Sequence, residues 1–240
     1  DDPGATSRRV AAARERAAIE RLERVRRALA KLPELEARKR KPTYRGSQDP
    51  ARVSTTDPEA GVMKMADGGF RPAYNAQLAT DVASQIIVGL AVTPLSDHEQ
   101  LGPMVDQLTG RYGRAPTEHL VDGGFRNLRE IERLASPECG TTLYMPVSRP
   151  RSRARDPHLP VYRDTPGVIA WRARMGTEEA KRIYRDRAAS AECVNAIARN
   201  RGLHAFRVRG PAKATAVLLW FALAHNLMRS ITLRARAAAT

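Results

Sequence analysis

Cysteine is nearly absent. The 240 residues hold only Cys139 and Cys193, with no Cys-x-x-Cys spacing, which excludes a disulfide scaffold and a zinc knuckle. The five histidines, His98, His119, His158, His204 and His225, show no metal-ligand spacing. The longest apolar run, Ala214 to Ala224, is too short to span a bilayer. The opening Asp1-Asp2-Pro3-Gly4 is no signal peptide, and its abruptness reads as a fragment with an upstream region missing. A cytoplasmic protein is expected. Acid is the other shortage: 26 Asp+Glu against 41 Lys+Arg give a net charge of +15. The arginines run along the whole chain rather than in one tail, so the excess points to a polyanion, most simply nucleic acid. Hydrophobic residues make up 42%, enough for a core.

Residues Ser7 to Leu32 predict one charged helix, with Ala18, Leu22, Val25, Leu29 and Leu32 as a narrow heptad-like stripe and Pro33 as its end. Glu20/Arg24 and Glu23/Arg27 sit four apart and support it. Glu36 to Gln48 reads as a basic linker marked by Pro42 and Gly46. Three strands should follow: Arg52–Asp57, Arg71–Thr80 and Gln85–Val92, the last two as a hairpin. Leu101, Met104, Val105 and Leu108 predict a helix closed by Gly113 and Pro116. The stretch His119-Leu120-Val121-Asp122-Gly123-Gly124-Phe125 is an apolar strand that delivers a carboxylate at its carboxyl end, where α/β sheets bind ligands. Asn127 and Glu130 can cap the next helix, whose buried stripe is Leu128, Ile131 and Leu134; Thr141–Met145 is strand five. Residues 148–176 read as an arginine- and proline-rich insertion with Trp171 as its core anchor. Thr177-Glu178-Glu179 starts a helical region running to Gly202, with Ser190 as a possible second cap. On it Arg185, Ala188, Glu192, Asn195 and Arg199 share a face. A nearly all-apolar final helix begins near Pro211 and should be buried; on it His225-Asn226 reads as a hydrogen-bonded pair.

That order of elements matches a ribonuclease-H-like α/β fold, a mixed five-stranded sheet with flanking helices and an N-terminal helical arm. Asp57 ends strand one and Asp122 ends strand four, which are neighbours in that topology; Glu192 lies on the helix covering them. Asp81 also ends a strand, but in the loop between strands two and three, at the opposite end of the sheet from the carboxyl end of strand one. Three converging carboxylates need cations, and magnesium favours such oxygen ligands together with substrate phosphates.

Four blocks sharpen the reading: Thr56-Asp57-Pro58-Glu59-Ala60, Tyr74-Asn75-Ala76-Gln77, Val121-Asp122-Gly123-Gly124-Phe125 and Ala191-Glu192-Cys193-Val194-Asn195, followed by Arg209-Gly210 and Ala224-His225-Asn226-Leu227. In this order they resemble the successive motifs of bacterial DDE insertion-sequence transposases, over roughly Arg52 to the end. The resemblance implies catalytic, metal-holding roles for Asp57, Asp122 and Glu192, with Mg2+ as cofactor and Mn2+ as substitute. It implies cleavage of phosphodiester bonds at element ends and strand transfer by 3′-hydroxyl attack, with DNA as partner and a homodimer on it. A tyrosine, an arginine, the glutamate and a lysine often share the last catalytic helix of relatives. Tyr184, Arg187, Glu192 and Arg199 come close, with one extra residue between arginine and glutamate and arginine in place of lysine. The DNA-binding set is Tyr184, Arg185, Arg187, Arg199, Arg201, Arg207 and Arg209. Residues 1–48 are then a charged helix and linker, and residues 49–240 a catalytic domain. Alternatives are a nuclease on the same fold and an inactive or truncated relic that still binds DNA.

Overall fold

The computed structural model describes residues 3–40, 50–65, 67–149 and 155–239; most of the expected linker, Pro42 and Gly46 included, lies outside them, as do residues 150–154 of the expected insertion. The chain divides into two units, residues 1–74 with 207–214, and residues 75–206 with 215–240.

The first unit carries helix α1, Pro3–Arg40. It runs straight through Pro33 instead of stopping there. Good helix formers (Ala, Leu, Glu, Arg and Lys) flank the proline on both sides, and Arg38, Lys39 and Arg40 complement the dipole in the last turn. The expected stripe is only half right: Leu22 and Leu29 are exposed, and Ala28 is the buried residue. The Glu20–Arg24 pair forms at 3.7 Å. A two-stranded hairpin follows, β1 (Gly61–Lys64) against β2 (Phe70–Ala73), and the sequence did not predict its first strand. Residues 52–57, expected as strand one, carry no strand.

In the second unit, β3 (Asn75–Thr80) pairs antiparallel with β4 (Ile87–Thr93). The predicted strand 71–80 is thus broken at Tyr74 into β2 and β3. Helix α2 (Leu101–Tyr112) ends on Gly113 in the left-handed region, as the glycine predicted. It packs closely enough on β4 that a side chain at Gly89 would strike Met104 Sδ at 2.9 Å. Strand β5 (Glu118–Leu120) pairs parallel with β6 (Thr142–Tyr144) across helix α3 (Leu128–Ala135), which Asn127 caps through Arg129 and Glu130 N–H. Among the described residues the expected five-stranded sheet is therefore three separate two-stranded pairs.

The expected insertion is partly a helix, α4 (Pro166–Gly176), whose Trp171 is buried and donates its indole N–H to the Met145 carbonyl at 3.0 Å. A long helix then runs as α5 (Glu178–Arg187), a π-helical turn (Ala188–Glu192) and α6 (Cys193–Asn200). Helix α7 (Pro211–Ala237) follows; against expectation it is buried on one face only, and by length and composition it is apolar enough to cross a membrane, because the apolar pattern extends well past Ala224.

Two cores hold this unit. One gathers Leu101, Ile131, Leu134, Met145, Val168 and Trp171; the other gathers Ile87, Leu90, Val194, Leu218 and Ala222. One edge of β4 is covered by side-chain amides. Gln107 exchanges both hydrogen bonds with the Leu90 backbone at 3.0 and 2.9 Å. Asn226 does the same with Ile87 at 2.8 and 2.8 Å. His225, also buried, bonds to the Gln85 carbonyl at 2.9 Å. The His225-Asn226 pair is thus an edge cap for a strand, which blunts an otherwise open template.

Candidate active site

Each unit holds part of the predicted constellation. Asp122 and Glu192 belong to the second unit and Asp57 to the first.

In the second unit β5 runs toward Asp122, which sits just past its carboxyl end as the apolar run predicted. The adjoining Val121 N–H reaches the Tyr144 carbonyl at 3.0 Å, so pairing with β6 continues to the residue before the carboxylate. Asp122 caps a short 3-10 turn, Gly123–Phe125, by accepting the Gly124 N–H at 2.8 Å. A side chain at 124 would approach Asp122 Oδ1 to 2.9 Å and Asp97 Oδ2 to 3.3 Å. Glycine is needed there because two carboxylates close on its backbone.

Asp97 is the functional candidate that sequence reasoning missed. Its Oδ1 accepts Asn75 Nδ2 at 2.7 Å and Gln77 Nε2 at 2.8 Å. This gives a physical meaning to the Asn75-Ala76-Gln77 block: alternate residues of β3 send two amides to one carboxylate that flanks the Asp122 turn. The alternation was visible in the sequence, but its target was not.

Glu192 is brought to Asp122 by one side chain. Arg187 Nη2 lies 3.3 Å from Asp122 Oδ2, and Nη1 lies 3.1 Å from Glu192 Oε1. The π-helical turn makes this possible. It inserts one extra residue between Arg187 and Glu192. The Ser190 hydroxyl donates to the Asp186 and Arg187 carbonyls, at 3.0 and 3.3 Å, within the widened turn. Ser190 is therefore not a second helix cap. The Arg187 guanidinium also lies 6.0 Å from the centre of the Tyr184 ring. Burial, helped by Asp122 and Glu192, raises the Tyr184 pKa, against a lowering influence from Arg187. Tyr184 thus stays a neutral phenol.

A cleft of about 950 Å³ opens here, lined by Asn75–Val82, Arg114–Asp122, Arg187 and Asn195 among others. Among the described residues β3 pairs only with β4 and β5 only with β6, and these two strands face the cleft. His119 lines it too, and desolvation lowers its pKa to about 4. Of the DNA-binding candidates in this unit, Arg185, Arg199 and Arg201 are exposed, and Arg187 is half-buried. Arg201 reaches Met228 Sδ at 3.3 Å.

In the first unit Asp57 is held by three contacts. Its carboxylate accepts the Tyr74 hydroxyl at 3.0 Å to each oxygen and the Gly210 N–H at 2.9 Å. Gly210 is left-handed (φ 82°) and immediately precedes α7, so Asp57 lies at a helix N-terminus, a favourable place for an anion. Burial and the Asp57 carboxylate raise the Tyr74 pKa. Arg207 and Arg209 are exposed on this unit.

The oxygen donors of Asp122 and Glu192 suit a magnesium-like ion. Among the described residues no group of three carboxylate, histidine or cysteine side chains forms a metal site. The ionic partner of both carboxylates here is Arg187.

No curated protein and no solved structure matches the chain. One family model does, described as "Transposase DDE domain", over residues 165–231. The match takes in α4, the helix with the π-helical turn carrying Arg187 and Glu192, and most of α7; Asp57 and Asp122 fall outside it. Over residues 165–231, the segment that carries Arg187 and Glu192, the chain is similar to the transposase DDE domain.

Proposed function

We propose that residues 49–240 are the catalytic domain of a magnesium-dependent DNA transposase, with residues 1–48 as a helical arm and linker. It cleaves phosphodiester bonds at element ends and joins strands by 3′-hydroxyl attack, acting on DNA in the cytoplasm, at the nucleoid, as a homodimer. The observation that carries this reading is the meeting of Asp122 and Glu192 on Arg187 beside an open cleft, within a chain of net charge +15.

Asp122 and Glu192 would hold the metal, with Asp57 as the third carboxylate. Bound there, magnesium would neutralise the carboxylates and stabilise charge developing on the attacking and leaving oxygens. Arg187 holds the two carboxylates in place and offers a guanidinium for a substrate phosphate once they are otherwise engaged. Arg185, Arg199, Arg201, Arg207 and Arg209 bind backbone phosphates. The unpaired cleft-facing sides of β3 and β5 support the reading of this unit as part of a ribonuclease-H-like fold.

The test is cleavage of a DNA duplex carrying the element's end, with Mg2+ or Mn2+, followed by joining to a target plasmid. Wild type should nick and join, and Asp57→Ala, Asp122→Ala and Glu192→Ala should each lose both activities while still binding DNA. Cleavage without joined product would assign a nuclease. Metal-independent DNA binding with no cleavage would assign a relic.

A further inference from the structure

The loop before α4 holds Tyr162 out in solvent. The side chain is 86% exposed, the most of any large apolar or aromatic residue among the described residues. The loop beneath it is tied down. Asp164 N–H donates to the Val161 carbonyl at 2.9 Å, and Val161 N–H donates to the Asp164 carboxylate at 2.7 Å. The same carboxylate oxygen accepts the nearly buried Arg172 guanidinium at 2.7 Å. Arg172 and Arg155 donate to the Pro157 and Pro160 carbonyls, each at 3.0 Å. Tyr162 and Arg163 are the two central residues of this turn. Arg163 is left-handed (φ 74°), at the position where a glycine ordinarily stands. Strain of this kind persists only where the surroundings enforce it, and it clusters at ligand-binding loops. On the far side Glu132 of α3 accepts the Thr165 hydroxyl at 2.5 Å and the Gly167 N–H at 2.7 Å. Arg163 thereby shares a hollow with Leu128 and Arg129 at the start of α3, the helix that follows the Asp122 turn.

We propose that Tyr162 is a stacking platform for an unpaired nucleobase of a DNA strand, with the arginines around it holding the adjoining phosphates. This rests on the reading of the chain as a DNA-acting protein. The sequence from 149 to 163 carries Arg149, Arg151, Arg153, Arg155 and Arg163 against one acid, Asp156. That imbalance favours a polyanion over a protein surface. The Arg163 guanidinium lies 5.4 Å from the centre of the Tyr162 ring, so charge and π face are offered together. A ring for the base beside cations for the backbone is how single strands are bound without sequence preference. In a duplex the base faces are already stacked on one another. The ring therefore meets a base only where a strand is unpaired, as at a cut end. A tied-down turn suits this task, because the ring is presented without ordering a loose loop on binding.

The experiment measures binding of the full chain, without metal, to single-stranded DNA carrying 2-aminopurine and to a duplex of the same sequence. Wild type should bind both and quench the 2-aminopurine of the single strand. Tyr162→Ala should weaken single-strand binding by roughly five- to a hundredfold, the range of one base stacked on an aromatic ring. It should also abolish the quenching and leave duplex binding and the melting temperature unchanged, since the ring is already in water. Tyr162→Phe keeps the ring and should behave as wild type. If Tyr162→Ala binds both DNAs as wild type does, the proposal is overturned and the ring is left to a protein contact. Equal loss on both DNAs overturns it too, because a disturbed phosphate contact gives that result. No cleavage is read, so a chain without nuclease or joining activity can still show the stacking. Wild type that binds neither DNA overturns the DNA-acting reading together with this one.

Discussion

Asp122 and Glu192 share one guanidinium. Arg187 spans them at 3.3 and 3.1 Å, so two carboxylates distant in sequence are held together by a cation belonging to the protein. A divalent ion entering between them must displace that cation. The resting site thus sets one cation against two carboxylates, and its partly exposed pairs are individually weak.

The first consequence concerns Arg187. Replacing it with Ala removes the competing cation, so Mn2+ should bind up to about tenfold more tightly, a difference on the scale of one exposed ion pair. Cleavage should fall all the same, because the carboxylates and the substrate phosphate lose their positioning group. Titration calorimetry beside a cleavage assay reads both. Arg187→Lys should not restore activity, because an ammonium cannot fork between two carboxylates.

Deleting Ala191 tests the π-helical turn. With one residue fewer, the turn reverts to ordinary α-helix and Glu192 rotates by roughly 100° relative to Arg187. The helix content seen by circular dichroism should persist, while cleavage falls at least 100-fold. Retained cleavage would show that the extra residue has no part in the site.

Asp97→Ala should strand the amide donors of Asn75 and the buried Gln77. The expected cost is about 1–3 kcal/mol in urea unfolding, the usual penalty for a buried polar group left without its partner. Asp97→Asn should recover part of it through its remaining carbonyl oxygen.

The Arg172–Asp164 pair lies deep in the region read as insertion, at 2.7 Å with both side chains nearly buried. Asp164→Ala leaves the guanidinium uncompensated and should destabilise the protein by about 3–5 kcal/mol. A smaller loss would mean that the Pro157 carbonyl, 3.0 Å from Arg172 Nη1, suffices as a partner.

His119 sets a pH dependence. Its pKa falls from 6.5 to about 4 on folding. Between those values the unfolded chain binds the proton more readily, so stability is full above pH 6.5 and declines as the pH drops toward 4. The loss is on the order of 3 kcal/mol. Thermal melts across this window should show it, and His119→Gln should flatten the profile.

The elements were largely legible in the sequence where local pattern carries the information. The apolar run into Asp122, the Asn127 cap, the stops at Gly113 and Gly202 and the Trp171 anchor all formed as read. Pro33 and residues 52–57 did not follow their local signals: α1 continues through the proline, and no strand forms where β-branched residues predicted one. A strand exists only when a neighbour pairs with its backbone, and propensity alone cannot supply that partner.

Composition and spacing by themselves determined the basic charge, the run of strands and helices and the order of the Asp122 and Glu192 blocks. The tertiary structure alone decided that Asn75 and Gln77 converge on Asp97, that Gln107 and Asn226 cover the edge of β4, and that the extra residue before Glu192 becomes a π-helical turn aiming it at Arg187. Side-chain periodicity fixes which face a residue occupies, because it depends on near neighbours along the chain. Which polar atom meets which depends on contacts between residues far apart in sequence, and those come into being only when the elements pack.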